Sequence, residues 1–274
     1  MTLYIIGLGL WNHKDISVRG LELVRSCDTV YLESYTSLLS CSVTELEEFY
    51  GREVIVADRA QSEQHMDEMI LAAKDKDVAF LVIGDPVSAT THMEIVRSCK
   101  EQKVSVSVIH NASVFSAVGI TGLQPYKFGK TTSIPFLERV PGLETPYHVV
   151  KQNLSIGAHT LCLLDIMVDN VEAETGGKLR SSSEENTKFM TVTEGLAVLE
   201  DIESRLLEGV ITDETLVVGC ARLGHSDFVV KSGPLSLVKT FDFGGPLHCL
   251  VIPGNLHFSE EEMLQVWSEQ KSSN

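Results

Sequence analysis

Val78–Ile83 (VAFLVI) is an unbroken apolar run, closed at once by Gly84-Asp85-Pro86. A run so short and so uniformly apolar, ended by turn residues, reads as a strand buried on both faces. That is the pattern of a parallel sheet. Weaker strands of the same kind flank it: Leu3–Gly9 (LYIIGLG), Thr29–Leu32 (TVYL), Glu53–Ala57 (EVIVA) and Val104–Ile109 (VSVSVI). Helical spacing fills the intervals. Ile16–Val24 has Asp15 placed as a cap, and Ser42–Glu45 forms a capping box for a helix ending at Gly51. Gln61–Lys74 has helical spacing, and Thr91–Glu94 is a second capping box. Alternation of strand and helix over about 110 residues predicts a parallel sheet with helices on both faces.

Beyond that point the pattern changes. Ser113–Leu123 reads as a small-residue helix and Thr131–Ile134 as a strand, while Pro135, Pro141 and Pro146 punctuate a loop. Further strands are His159–Ile166 (HTLCLLDI), Thr215–Leu223 (TLVVGCARL) and His248–Ile252 (HCLVI). Capping boxes at Thr191–Glu194 and Ser259–Glu262 open a helix running to about Glu208 and a last helix. With less helix between strands, mixed or antiparallel pairing is expected. The polar, acidic stretch Val168–Lys188 reads as an exposed insertion. The fold class is therefore α/β with two α/β domains, 1–112 with a parallel sheet and flanking helices, and 113–274 with a mixed sheet. No internal repeat is visible.

The 274 residues are 43% hydrophobic and 22% charged, ordinary for a folded protein with a sizeable core. A formal charge of −16 repels phosphate backbones, so nucleic acid is excluded as a natural partner. A small cationic ligand or a basic protein suits that charge better. The six cysteines include no CxxC pair and no Cys/His set with zinc spacing, so no metal is expected. They read as buried free thiols of a reducing cytosol. No signal peptide opens the sequence, and no apolar run reaches the roughly 18 residues of a membrane span. A cytoplasmic protein without membrane contact is expected.

Several strand ends carry candidate chemistry. Gly7-Leu-Gly9 stands where a dinucleotide fold places its phosphate loop, and Glu33 stands where an acid would bind ribose. The third glycine of that fingerprint is missing, since position 12 is Asn12. In open α/β sheets ligands bind outside the carboxyl ends of strands, which aims Asp85 into a crevice; an ordinary turn role is equally open to it. Thr90, Thr91 and His92 read as a polar helix start. Asn111-Ala-Ser113 ends another strand, and Ser113 caps the next helix, hydrogen-bonds a ligand, or does both. No GxSxG elbow, Walker loop or HExxH is present. Catalysis by placement is then the natural reading, and methyl transfer from a sulfonium fits it. Near-attack geometry alone supplies roughly 7–11 kcal/mol of barrier reduction. Because the sulfonium loses its charge during transfer, the site should not bind the charged ground state too tightly.

Taken in order, LYIIGLGL, TVYLESYTS, EEFYGREVIVADR, DVAFLVIGDP with ATTH, VIHNAS, YKFG, HTLCLLDI, TLVVGCARLG and PLHCLVIPGNLH cover most of the chain. This collinear set resembles the diphthine synthase family, within the class of methyltransferases typified by tetrapyrrole methylases. The resemblance implies a homodimer of two-domain subunits with S-adenosylmethionine in a cleft between the domains. It implies elongation factor 2 as protein substrate, methylated on an aminocarboxypropyl-modified histidine in diphthamide biosynthesis. The eukaryotic branch, whose motif wording is closer, methylates both the amine and the carboxylate and so yields diphthine methyl ester. By the same resemblance the cofactor contacts are Leu10, Asp85, Ser88, Ser113, Val114, Leu164, Leu223 and His248. Ser88 departs from the pattern, GDPVSATTH standing where relatives have GDPFGATTH, so a backbone contact is expected there. Leu10, Leu164 and Leu223 are open to plain core packing, and His248 to being a satisfied buried histidine. No catalytic base is assigned, since solvent could accept the amine proton. Pro135–Ser155 and Val168–Lys188 match poorly, and either shape substrate recognition or are variable loops. The alternatives are a methyltransferase acting on a tetrapyrrole or other small molecule, a nicotinamide dehydrogenase, and a non-catalytic binding module. The acidic surface weighs against a polycarboxylate porphyrinoid, and the intact GDP and NAS segments against loss of activity.

Overall fold

The structure is a computed structural model that describes residues 1–33, 39–57, 62–168 and 187–269. The chain divides into two compact units, Met1–Ala117 and Val118–Asn274.

In the first unit, β1 (Thr2–Gly7), β2 (Thr29–Glu33), β3 (Ile55–Ala57), β4 (Val78–Val82) and β5 (Ser105–Ile109) form a five-stranded sheet in the order β3-β2-β4-β1-β5. All neighbours are parallel. Helices α1 (Val18–Ser26), α2 (Val43–Tyr50), α3 (Ser62–Ala72) and α4 (Met93–Glu101) connect them, and α5 (Val114–Ala117) follows. Every residue of β4 is buried, as its uniform apolarity requires. Successive side chains of β1 point to opposite faces. Ile6 and Leu8 meet Val24 of α1 and Leu46 and Tyr50 of α2. Leu3 and Ile5 meet Met69 and Ile70 of α3 and Ile95 and Cys99 of α4. Right-handed crossovers demand this division, because the chain moves one way along the sheet through α1 and α2 and back through α3 and α4.

Two helix starts differ from the sequence reading. Ser17, not Asp15, caps α1, accepting the Gly20 N–H at 3.0 Å. Asp15 instead accepts the Trp11 N–H at 2.8 Å, holding the loop ahead of the helix. The Thr91–Glu94 capping box does not form, because the N-cap of α4 is His92, whose backbone is already helical and whose side chain makes no cap. The box at Ser42 and Glu45 is present as read, with Gly51 in the left-handed region at φ 70°.

In the second unit β6 (Thr132–Ile134) and β7 (Thr160–Leu164) begin the sheet, and β8 (Ile166–Val168) pairs with β9 (Thr187–Phe189) as an antiparallel ribbon. β10 (Leu216–Ala221), β11 (Val229–Pro234) and β12 (His248–Ile252) complete a mixed sheet of order β11-β10-β12-β7-β6. Residues 169–186, which hold most of the expected insertion, lie outside the described residues. Helices α6 (Thr145–Ser155), α7 (Val192–Leu206), α8 (Leu235–Val238) and α9 (Phe258–Ser268) pack with it. The stretch read as a proline-punctuated loop contains α6. Pro146 sits in its first turn, where a missing N–H costs nothing, and Tyr147, Val149 and Val150 are buried. Strand β11 escaped the sequence reading because Lys231, Ser232 and Gly233 dilute its apolarity. Lys231 is nonetheless buried, its ammonium donating to the Ser268 carbonyl at the end of α9. The expected helix Ser113–Leu123 is broken into α5 and a 3-10 turn, Val118–Thr121. The last capping box begins at His257 rather than Ser259, with Glu260 as the returning carboxylate.

Candidate active site

The chain leaves β1 toward β2 and leaves β4 toward β5, in opposite directions along the sheet. Since β1 and β4 are neighbours, the switch point falls between them, and ligands of open α/β sheets bind at the carboxyl ends there. The two loops that leave this edge are stitched together. The Gly84 N–H donates to the Gly9 carbonyl at 2.7 Å, and the Gly9 N–H to the Gly84 carbonyl at 3.2 Å. Gly7 must be glycine, because a Cβ would lie 2.6 Å from the Gly84 oxygen and 2.8 Å from the Asn111 Cβ. Gly84, with φ at +80°, is the reverse case: a Cβ there would meet only the Ala112 oxygen, at 3.9 Å. There is room beside its Cα, although the residue is buried and both its N–H and its carbonyl are bonded to Gly9.

Asp85 organises this edge. It is 7% exposed, and its carboxylate accepts from the Val87 N–H at 3.0 Å, the Ser88 hydroxyl at 3.1 Å, His110 Nδ1 at 2.8 Å and the Asn111 N–H at 3.2 Å. Burial pushes the carboxyl up, but these donors outweigh it and hold the group below the usual carboxylate range. Asn111 extends the network, its side-chain amide donating to the carbonyls of Gly7 at 2.9 Å and Asp15 at 3.0 Å. The loops after β1, β4 and β5 are thus locked to one another. Ser88 turns both its hydroxyl and its N–H inward to Asp85. Ser113 is buried and starts α5, its carbonyl accepting the N–H groups of Ser116 and Ala117. Leu10 and Val114 stand half-buried at the same edge. The fold therefore gathers Leu10, Asp85, Ser88, Ser113 and Val114 along the edge of three neighbouring strands. His110 and Asn111 belong to the cluster too; Asn111 was read only as part of a strand end, and His110, which follows β5 directly, was not singled out.

The dinucleotide features do not assemble. Residues 8–17 separate β1 from α1, whose N-terminus Ser17 already caps. Glu33 is fully buried, too deep to meet a ribose at the edge. His92 is also buried, with Nδ1 3.2 Å from the Pro86 carbonyl and its ring edge-on to Phe80. Burial lowers its pKa against the pull of Glu33, so it is a packed histidine.

In the second unit, antiparallel pairing of β10, β12 and β7 sets the end of β10, the start of β12 and the end of β7 on one edge. Ala221 pairs with His248, and Cys249 with Leu163. Leu164, Leu223 and His248 therefore share that edge. Leu164 packs so closely over α7 that a Cβ at Gly195 would lie 2.7 Å from it. Leu223 is half-buried after Arg222, whose guanidinium binds the carbonyls of Phe243 and Gly245. His248 accepts the Val192 N–H on Nδ1 at 3.3 Å, so Nε2 carries the proton and donates to the Gly244 and Gly245 carbonyls at 3.2 and 3.0 Å. Burial lowers its pKa, and the hydrogen bonds set the tautomer. Among the described residues no group of His, Cys, Asp and Glu could hold a metal ion.

Residues 2–238 match the family model described as Tetrapyrrole (Corrin/Porphyrin) Methylases. The chain is 46% identical over 280 aligned residues to the "Probable diphthine methyl ester synthase" of Arabidopsis thaliana, covering 99% of this chain and 100% of that protein. It is 42% identical to the diphthine synthase of Methanocaldococcus jannaschii, covering 97% of this chain and 99% of that one. A crystal structure of a diphthine synthase superimposes with a TM-score of 0.83 at 38% identity, over 98% of this chain and 96% of that one. The chain belongs to the tetrapyrrole methylase family and, within it, to the diphthine synthases.

Proposed function

We propose that this chain transfers methyl groups from S-adenosylmethionine to the aminocarboxypropyl-modified histidine of elongation factor 2, giving diphthine methyl ester in diphthamide biosynthesis. The observation that carries this reading is the 46% identity, over essentially the full length of both chains, to a protein named for that product. The edge of the first sheet suits the cofactor. Gly84, with room beside its Cα, lies with two half-buried apolar side chains, Leu10 and Val114, at the point where such sheets bind ligands. S-adenosylmethionine supplies an electrophilic methyl, so the protein's task is placement. Leu10, Asp85, Ser88, Ser113 and Val114 are the proposed cofactor contacts of the first unit, and Leu164, Leu223 and His248 those of the second. The Asp85 carboxylate is saturated by donors of its own chain, so what it offers the cofactor is its backbone and its charge. Likewise Ser88 offers only its carbonyl, because its hydroxyl and its N–H are spent inward. We place the protein in the cytoplasm as a homodimer. Its free cysteines suit a reducing compartment, and among the described residues no helix is long and apolar enough to cross a membrane.

Calorimetric titration with S-adenosylhomocysteine, with NAD as control, tests the cofactor. Binding of the first alone is expected, and binding of NAD alone refutes the reading. Incubation with S-adenosylmethionine and elongation factor 2 carrying the aminocarboxypropyl group should then add methyl masses to the modified peptide. Methylation of a tetrapyrrole with no change in that peptide would replace the substrate.

A further inference from the structure

His110 is the one side chain of the β4-β1-β5 edge cluster that combines a buried partner with an exposed ring. Its Nδ1 lies 2.8 Å from Asp85 Oδ2, yet its side chain is 69% exposed against 7% for the aspartate. An ionised carboxylate only accepts, so Nδ1 carries the proton and the lone pair of the neutral ring sits on Nε2. Among the described residues nothing hydrogen-bonds Nε2. The carboxylate is itself fixed by the Val87 and Asn111 N–H groups and the Ser88 hydroxyl, so it cannot swing away from the ring. A buried, immobilised carboxylate that sets the tautomer and direction of an accessible imidazole is the arrangement that makes histidine a general base.

We propose that His110 is the catalytic base for amine methylation, taking a proton from the substrate ammonium before each attack; this rests on the substrate reading above. The chemistry supplies the need. A peptide N-terminus has a pKa of about 8, and an amine beside a free carboxylate is more basic still, so near neutral pH nearly all of it is protonated and cannot attack. Nε2 of His110 takes one N–H proton and becomes imidazolium. The freed nitrogen lone pair then forms the N–CH3 bond as the C–S bond breaks, and that electron pair stays on sulfur, leaving neutral S-adenosylhomocysteine. The methylated nitrogen is cationic, and His110, having passed its proton to solvent, repeats the step while an N–H remains. Carboxylate methylation has no such requirement, because its oxygen is already a free nucleophile. Base catalysis therefore separates the two reactions on one enzyme.

The test compares full-length wild-type protein, His110→Ala and His110→Asn on two forms of elongation factor 2. One carries the unmethylated aminocarboxypropyl group and the other the amine already trimethylated, and each methyl added is followed by mass spectrometry at saturating S-adenosylmethionine. Both variants should lower the ratio of amine to carboxylate methylation on the order of 100-fold or more, the range of general base catalysis. His110→Asn can keep the hydrogen bond to Asp85 but cannot take a proton, so its loss separates proton transfer from support of the aspartate. Continued ester formation shows in the same sample that each variant is folded and binds cofactor. Parallel loss of both reactions, or full amine methylation by either variant, overturns the proposal. A wild-type protein inactive on both forms overturns the substrate reading instead, and this proposal with it.

Discussion

Replacing Glu260 by glutamine should cost the second unit more stability than a single polar substitution usually does. Glu260 is fully buried at the start of α9. One carboxylate oxygen accepts from the Gln124 N–H at 2.8 Å and from His159 Nε2 at 3.0 Å; the other accepts from the Lys127 ammonium and the His257 N–H. His159 is also fully buried, and its Nδ1 accepts the Gly254 N–H at 2.9 Å, which leaves the proton on Nε2 facing the carboxylate. Burial pushes the Glu260 carboxyl up, but the Lys127, Gln124, His257 and His159 donors pull it from 4.5 down to about 2. That depression corresponds to about 3 kcal/mol of stability. Because the folded pKa is the lower one, that stability is fully present above pH ~4.5 and is lost as pH falls through about 2. Glu260→Gln removes the charge and turns an amide N–H₂ toward existing donors, and breaking a buried pair in this way costs about 3–5 kcal/mol. For a unit of this size the melting temperature should fall by roughly 10 °C at pH 7. The assay is thermal unfolding of wild type and variant from pH 7 to pH 2. The gap between them should stay constant down to pH ~4.5 and shrink below it. An unchanged melting temperature at neutral pH, or a gap independent of pH, would refute the reasoning.

Gly7→Ala forces a Cβ to within 2.6 Å of the Gly84 carbonyl, so β1 and β4 must part at their carboxyl ends. A loss of about 1–3 kcal/mol in chemical unfolding is expected, with weaker S-adenosylhomocysteine binding by calorimetry. Asp85→Ala leaves the N–H groups of Val87 and Asn111 without their acceptor and frees the His110 ring, so affinity for S-adenosylhomocysteine should fall at least on the order of 10-fold; unchanged affinity removes Asp85 from the site. Glu203 accepts the N–H groups of Gly209, Val210 and Ile211 and the Tyr147 hydroxyl. Burial raises its carboxyl, but those bonds hold it at about 2, so Glu203→Ala should lower the melting temperature most at neutral pH and least near pH 2.

What the sequence made legible was what one segment determines for itself. The uniform apolarity of Val78–Ile83 forecast a strand buried on both faces, and β4 is buried throughout. The serine–glutamate box at Ser42 and Glu45, and its threonine counterpart at Thr191 and Glu194, were readable because donor and acceptor lie three residues apart. What escaped depends on distant partners. Strand β11 exists because β10 pairs along its whole length and the α9 terminus takes the Lys231 charge, neither of which its own residues announce. Helix α6 was hidden by Pro146, which ends a helix in most positions and begins one here. At the candidate site, Asp85 was singled out from its place after the strongest strand. The pairing of His110 with it was not, since 25 residues separate them and only the β4-β1-β5 order brings their loops to one edge.

The two sheets gather their proposed contacts by different rules, and this accounts for a spacing that looks arbitrary in sequence. In the parallel sheet every carboxyl end lies on the same edge, so each motif follows its strand: Leu10 after β1, Asp85 after β4, Ser113 after β5. In the antiparallel run β10-β12-β7 the edge alternates, so Leu223 and Leu164 come at or after the ends of their strands while His248 opens its own. The register of β12 then decides whether His248 belongs to the edge at all. A slip of one residue would turn its ring to the opposite face of the sheet. His248 resists that slip by bonding the Val192 N–H at the head of α7 and the Gly244 and Gly245 carbonyls just ahead of its strand. The histidine is thus a satisfied, structural one and a proposed cofactor neighbour at once, because the bonds that saturate its ring are what hold it at the edge.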